Sequence, residues 1–526
     1  MVFNSIHFVV FFAIVYAVYR LLAVRGETPA SHRDGRDARR SRREEGEYRE
    51  YSTDEQRRAA GWIARRMPWA FRRGLLSHRA QNVWLLAASY YFYAVWDWRF
   101  TGLLAASTLV SYWAAAALGR PAVRASRAAS LRILWSALGF LLAVLGFFKY
   151  AGFFVDSAAR ALSTIGFDVG DPVLAIVLPL GISFYTFMAM AYVVDVYRGD
   201  MAPVGSLVDY ALFVAYFPHL VAGPILRAPA LMPQFAAPRT IGREDLSTGA
   251  WLIATGLFKK IVVADNLSPM VDAVFAPAFP AAGGDVLIAT YAFALQIYGD
   301  FAGYSDMARG LSQLFGIELN VNFRFPYAVT NPREFWRHWH ISLSTWLRDY
   351  LYKPLGGSRG GRGATNRNLL ITMVLGGLWH GAAWSFVLWG AYQGVWLVAH
   401  RAYEAWRGVR TRTSRLAAIG AWFVALHLIC YGWLLFRARS FEQIRAMTWA
   451  LLTDWRISPE VVPEVWTLVG FALPLVLLHG YEWWKDDLLA VPRLPLVRRY
   501  AVYGAIFYLI LLFGSFGGAQ FIYFQF

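Results

Sequence analysis

One histidine of this chain stands where an ionisable side chain is costly. The segment LLITMVLGGLWHGAAWSFVLW (369–389) is apolar and long enough to cross a bilayer, which takes about 20 residues. His380, near its middle, is its only ionisable side chain. An ionisable group at membrane depth marks a functional site by default. Burial disfavours imidazolium, so a neutral imidazole that can accept a proton is expected there. That is the property a general base needs to draw a proton from a hydroxyl as the hydroxyl attacks a carbonyl. Gly376, Gly377 and Gly381 flank it, and they would loosen the helix and let a substrate approach the backbone.

Upstream, NPREFWRHWHISLSTWLRDYLYKPLGG (331–357) carries two more histidines. On an ideal helix Trp336, Trp339, Leu343, Leu347 and Tyr350 recur at three- and four-residue intervals and form one apolar stripe. His340 lies at the edge of that stripe. Arg333, Arg337, Ser344 and Arg348 continue around the same flank, so His340 would sit between apolar packing and a basic, hydrogen-bonding strip. His338 points elsewhere, toward the side of Asp349. An interfacial amphipathic helix with snorkelling arginines would look similar.

Composition places these segments in a membrane protein. The 526 residues are 57% hydrophobic and 16% charged, against about 45–50% and 25% in soluble domains. Aromatics make up 17%, with 23 Trp, which suits interfacial belts and aromatic-lined cavities. The net charge of +17 does not indicate nucleic acid, because the arginines collect in loops between apolar spans, as positive-inside topology requires. The single cysteine, Cys430, excludes an intrachain disulfide.

The charge rule orients the spans. Phe8 to Val24 reads as a retained first transmembrane helix rather than a signal peptide. Residues 25–81 hold fifteen Arg and read as a partly disordered cytoplasmic insertion, whose part from Trp62 to Leu76 could lie on the membrane surface. Spans are expected near 83–97, 101–118, 133–154 and 173–194, with Arg120, Arg124, Arg127 and Arg132 inside and Asp156, Asp168 and Asp171 outside. Segments near 206–222, 248–264, 285–300 and 303–316 read as broken by Pro218, Pro224, Lys259, Lys260, Asp300 and Asp306, and as walls of a polar funnel. Further spans are expected near 369–389, 390–404, 416–436, 464–480 and 499–517, with basic loops 353–367 and 401–415 inside. No internal repeat is visible, which counts against a transporter built on inverted halves.

Other constellations carry weaker signals. Asp300 and Asp306 flank FAGYS, and pairing with Arg or Lys at a helix break is the stronger reading for both. The loop GGSRGGRGATNRN (356–368) could cradle phosphates, but a flexible positive-inside loop explains it better. No cluster of His, Cys and carboxylates has metal-ligand spacing, so no metal is expected.

The motif FWRHWHISLSTWLRDYLYKPLGG (335–357) followed by LGGLWHGAAWSFVLWGAYQG (375–394) resembles the paired signature of the membrane-bound O-acyltransferase family. The resemblance is to its bacterial branch of alginate O-acetyltransferases and teichoic acid D-alanyl transferases, nearer the alginate type. LPLGISFYTFMAMAYVVDVYRGD (178–200), FPHLVAGPILR (217–227), QIYGDFAGYSDMARG (296–310) and FIYFQF (521–526) fit the same branch. The insertion at 25–81 departs from it. The resemblance implies a single all-α polytopic domain over 1–526. It further implies a ring of about eleven transmembrane helices, a thin central region and a funnel.

It also implies His380 as the membrane-buried catalytic histidine and His340 as the second one, holding the acyl donor or stabilising the oxyanion. Arg333, Arg337, Ser344, Trp379 and Asp306 are candidate substrate-binding residues. The implied protein is a multi-pass O-acetyltransferase of a bacterial plasma membrane. It would take an acyl group from cytoplasmic acetyl-CoA or an acyl-carrier protein, with no bound cofactor. The acceptor would be a hydroxyl of an extracytoplasmic polysaccharide, or an SGNH-type acyl-accepting partner protein. D-alanyl transfer from a carrier protein and a non-catalytic transporter or flippase are the alternatives.

Overall fold

The computed structural model describes residues 3–22, 75–167, 170, 174, 176–221, 223–276, 281–408 and 414–517. Most of the insertion, Asp168, Asp171 and the terminal FIYFQF lie outside the described residues. Among those described, the chain is helical without a strand. Among the described residues, seven helical stretches are long and apolar enough to cross a membrane; the ring of about eleven that the resemblance implies is not confirmed.

The N-terminal half has helices where spans are expected, but with shifted edges, and the helices at Ile6–Leu21 and Ile182–Arg198 are not among the seven stretches of spanning length. Helix α1 (Ile6–Leu21) has 16 residues, fewer than the about 20 a perpendicular span needs. Helix α2 (Leu75–Asp97) begins before the expected residue 83, so residues 75–81 belong to the helix and not to the insertion. The reason is burial. Gln81 donates to Tyr19 O at 3.2 Å, and Asn82 donates to Asp209 at 2.7 Å and to Phe235 O at 2.9 Å. One 3-10 turn (Trp98–Phe100) separates α2 from α3 (Thr101–Leu118). Helix α4 (Arg127–Leu145) runs through a π-turn (Gly146–Tyr150) into α5 (Ala151–Thr164). The span expected from 173 starts later. Helix α6 (Ile182–Arg198) is preceded by Gly181 at φ 68°. A Cβ there would stand 2.3 Å from Leu220 O, so glycine admits both the left-handed turn and the close approach. Helix α7 (Leu207–Ala215) is short.

The middle is more regular than its charges suggest. Helix α8 (Arg243–Leu257) continues through a π-turn (Phe258–Ala264) into α9 (Asp265–Val274). The two segments expected at 285–300 and 303–316 are one helix, α10 (Gly283–Leu314), which is the central element of the fold. The charges do not break these helices because they pair, along one helix for Lys260 with Asp265 and across the interface for the others. Lys260 lies 2.7 Å from Asp265 and 2.8 Å from Asp300, and Lys259 lies 2.7 Å from Asp306. Small residues bring the two backbones together, as in membrane helix packing. A Cβ on Gly303 would stand 2.7 Å from Gly256 O, and one on Gly310 2.6 Å from Gly249 O.

The segment 331–357 is not one helix. Helix α11 (Pro332–His338) is capped by Asn331, whose side chain accepts from Glu334 N at 3.0 Å. The chain breaks at Trp339 and His340, resumes as α12 (Ile341–Leu347) and ends in a π-turn (Arg348–Tyr352). The apolar run 369–389 is likewise divided. Helix α13 (Gly361–His380) ends at His380, the chain is extended at Gly381, and α14 (Trp384–Arg407) turns back. The remaining elements are α15 (Arg415–Arg437), α16 (Phe441–Thr453), α17 (Val462–Trp484) and α18 (Leu496–Phe513). Helices α17 and α18 expose Val469, Leu473, Leu477, Phe507 and Leu511, an outward apolar surface that suits lipid.

Candidate active site

His340 stands at the break between α11 and α12. Its backbone is left-handed, φ 42° and ψ 55°, a conformation that a side chain beyond glycine adopts at a cost of about 1–3 kcal/mol. Neighbouring backbone holds it there. Ile341 N donates to Asn322 O at 2.9 Å and Arg324 N donates to His338 O at 3.0 Å. Ser342 N and Oγ donate to Asn322 Oδ1 at 3.1 and 2.9 Å, and Ser342 Oγ accepts from Ile225 N at 2.9 Å. The ring is fully buried, 4.6 Å from Phe301, 6.3 Å from Phe323 and 5.8 Å from Trp379 between centroids. Neither ring nitrogen has a hydrogen-bond partner among the described residues. Buried polar groups are rarely left so, and this pair of nitrogens suits a substrate group.

His380 is the last residue of α13 and is buried. Its ring packs 5.1 Å from Trp379, 5.0 Å from Trp389 and 5.5 Å from Phe436. The centroids of His340 and His380 are 6.4 Å apart. A reacting group between them could touch both rings. The three glycines beside His380 act differently from the expectation. Cβ atoms would stand 2.2 Å from Phe386 O on Gly377, 3.1 Å from Leu347 on Gly376 and 2.1 Å from the Phe386 ring on Gly381. Their bareness admits protein neighbours rather than a substrate.

A cleft of about 720 Å³ lies past the end of α13, lined by Lys149, Ala382, Ala383, Phe386, Phe436 and Arg439 among others; neither histidine lines it, and the Phe436 ring stands between the cleft and His380. Ala382 and Arg439 lie just past the C-terminal ends of α13 and α15, and Lys149 lies in the π-turn after α4; all three helices start in or beside Arg-rich segments. Helix α13 alone, at 20 residues, is about 30 Å long. The positive-inside expectation, applied to these helix starts, would put the cleft on the side away from the cytoplasm.

The candidate substrate residues divide. Trp379 packs against both histidines. Asp306 pairs with Lys259 at 2.7 Å and Arg309 at 3.2 Å, as the pairing reading expects, and so is already engaged. Arg333 pairs with Glu404 on the surface, and Arg337 is exposed. Ser344 Oγ donates to Trp339 O at 3.2 Å, closing the break. The basic strip beside His340 does not form, because the helix that would align it is interrupted at residues 339–340. His338 does not lean toward Asp349 as expected. Asp349 pairs with Arg227 at 2.6 Å, Lys353 at 2.7 Å and Arg348 at 3.0 Å. Burial would raise the Asp349 carboxyl, but the Arg348 hydrogen bond, the Arg227 charge and the Lys353 hydrogen bond together hold it well below the usual carboxylate range.

Sequence reading passed over Lys149, the one charged side chain in the apolar run 133–154. An isolated charge inside a span was the available signal. Phe301, Phe323 and Phe436, which wall the two rings, gave none.

The model of the membrane-bound O-acyltransferase family matches residues 203–438, which include both histidines. The chain is 45% identical over 385 residues to the probable alginate O-acetylase AlgI of Azotobacter vinelandii, covering 72% of this chain and 74% of that protein. It is 35% identical over 389 residues to the peptidoglycan O-acetyltransferase of Helicobacter pylori, covering 69% and 72%. The teichoic acid D-alanyltransferase of Bacillus subtilis is 26% identical over 278 residues, covering 50% and 69%. With two buried histidines 6.4 Å apart inside a helical, membrane-spanning scaffold, and with relatives this similar over most of its length, the chain belongs to the membrane-bound O-acyltransferase family and is a multi-pass membrane O-acetyltransferase.

Proposed function

We propose that this protein carries an acetyl group from a cytoplasmic thioester, acetyl-CoA or an acyl-carrier protein, to a hydroxyl on the far side of the membrane. The acceptor is a sugar hydroxyl of an exopolysaccharide or cell-wall glycan, or the serine of an SGNH-type partner that passes the group on. The relatives named for alginate and peptidoglycan support a polysaccharide as the final acceptor. Their higher identity favours acetyl over D-alanyl transfer.

The observation that carries this reading is the 6.4 Å spacing of the buried His340 and His380 rings. The acceptor hydroxyl enters from the cleft and His380 takes its proton as the oxygen attacks the thioester carbonyl. The tetrahedral oxyanion forms within reach of His340, whose unpartnered nitrogen can donate to it. The C–S bond then breaks, the O-acetyl ester forms, and the proton held by His380 passes to the thiolate. An ester and a thiol leave, and both imidazoles end neutral.

The test is purified protein in liposomes with labelled acetyl-CoA inside and a soluble oligosaccharide or an SGNH-type partner outside. Label on the outside acceptor that depends on His380 supports the reading. Label that appears only with a charged D-alanyl carrier protein would replace acetyl by D-alanyl transfer.

A further inference from the structure

Helix α13 ends abruptly at His380, because Gly381 is extended at φ −159° and ψ 151°. The last carbonyls of a helix have no donor within it. Here, three successive carbonyls are met by two successive residues of a different helix. Tyr150 Oη donates to Leu378 O at 3.0 Å. Lys149 Nζ donates to Trp379 O and reaches His380 O at 3.4 Å. A further Lys149 contact goes to Ser183 Oγ at 3.3 Å, and the ammonium lies 5.5 Å from the Trp379 ring centroid.

Local structure explains how neighbours in sequence act together. Residues 146–150 form a π-turn, an irregularity found often at functional sites. An ammonium at a helix C-terminus is also favoured by the helix dipole. The same residue lines the cleft past the end of α13. A lone lysine in an apolar span is costly, and these contacts are what it supplies in return.

We propose that Lys149 is a positioning residue for acetyl transfer. It pins the last turn of α13 and so fixes where the His380 ring stands relative to His340 and the cleft. The proposal rests on His380 as the base. Displacement of a reacting group by about 1 Å can cost about 10²-fold in rate, so the loss falls on kcat and not on donor binding.

The test compares Lys149→Met, Lys149→Arg and Tyr150→Phe in two measurements. The first is kcat and KM for acetyl-CoA in liposomes. The second, independent of activity, is hydrogen–deuterium exchange of residues 376–386 in detergent, read by mass spectrometry. Lys149→Met should lower kcat by about 10²-fold with KM within about 3-fold, and should speed exchange in that peptide. Lys149→Arg, which keeps a cation and donors, should recover most of both. Tyr150→Phe should change each by less, and it decides the matter should Lys149→Met not be recovered as a monodisperse protein. Unchanged exchange in Lys149→Met, or in Tyr150→Phe where only that variant is available, would overturn the proposal, as would a loss confined to KM. Wild-type protein that transfers nothing, with exchange responding as described, would sink the transfer reading itself and leave only the pinning of the last turn of α13 by Lys149, so the two failures are distinguishable.

Discussion

Gly377 on α13 and Gly390 on α14 face one another so closely that a Cβ on Gly377 would stand 2.9 Å from the Cα of Gly390. The hairpin that ends at His380 is therefore closed by two bare backbones. Gly377→Val should not be accommodated by a side-chain shift, since Phe386 O would lie 2.2 Å from the added Cβ. The expected outcome is loss of most folded protein, read as the monodisperse fraction in detergent. Gly470→Ala on α17, where a Cβ meets nothing within 4 Å, should behave as wild type.

His380→Ala should remove acetyl transfer, by about 10²–10⁴-fold for a lost general base, while insertion and yield survive. His340→Ala should also impair transfer, with a smaller loss. His338→Ala should be milder than either, because its backbone and not its ring supports the break at residues 339–340. Transfer rates at matched protein levels check the order, and near-normal rates for His380→Ala would remove it from the base role.

Arg333→Ala and Arg337→Ala should leave transfer within about 2-fold, since exposed ion pairs contribute about 0–1 kcal/mol. Their place on a broken helix points them to the surface. A tenfold rise in donor KM in either would show that they contact the donor after all.

Lys260→Met should destabilise the protein strongly. Its ammonium lies within 2.8 Å of Asp300 and Asp265, all three buried, and breaking a buried ion pair commonly costs about 3–5 kcal/mol. The double variant Lys260→Met, Asp300→Asn should recover part of the loss. A thermal midpoint for Lys260→Met equal to wild type would contradict this account of why α10 stays unbroken.

Single cysteines in a Cys430→Ser background can test the orientation. Ser126 and Ser414 adjoin basic loops and should resist an impermeant thiol reagent on intact cells, whereas Ser440, beyond the far end of α15, should react. The reverse pattern would place the cleft in the cytoplasm and overturn the acceptor side proposed for it.

Membrane class and the all-helical fold were legible in the residues themselves, because hydropathy is a local property of the chain, and the family was legible in its paired histidine motifs. Helices α3 and α15 fall within one residue of the expected edges at both ends, whereas α4, α6, α13 and α14 are shifted by several residues. Breaks and continuities were not legible, because they depend on partners distant in sequence. Asp300 and Asp306 read as interruptions of a helix, yet α10 runs through them because Lys260 and Lys259 arrive from α8's continuation. The run 369–389 read as one span, yet it turns at Gly381, where Lys149 and Tyr150 take the carbonyls that a continuing helix would have used. His340 read as one side of a continuous helix, yet its left-handed backbone exists only because Asn322 and Arg324 bond across the break. A local pattern says which groups are apolar or charged. Only packing supplies the neighbour that satisfies or frustrates each backbone group, and that supply decides where a helix stops and where its last side chain points.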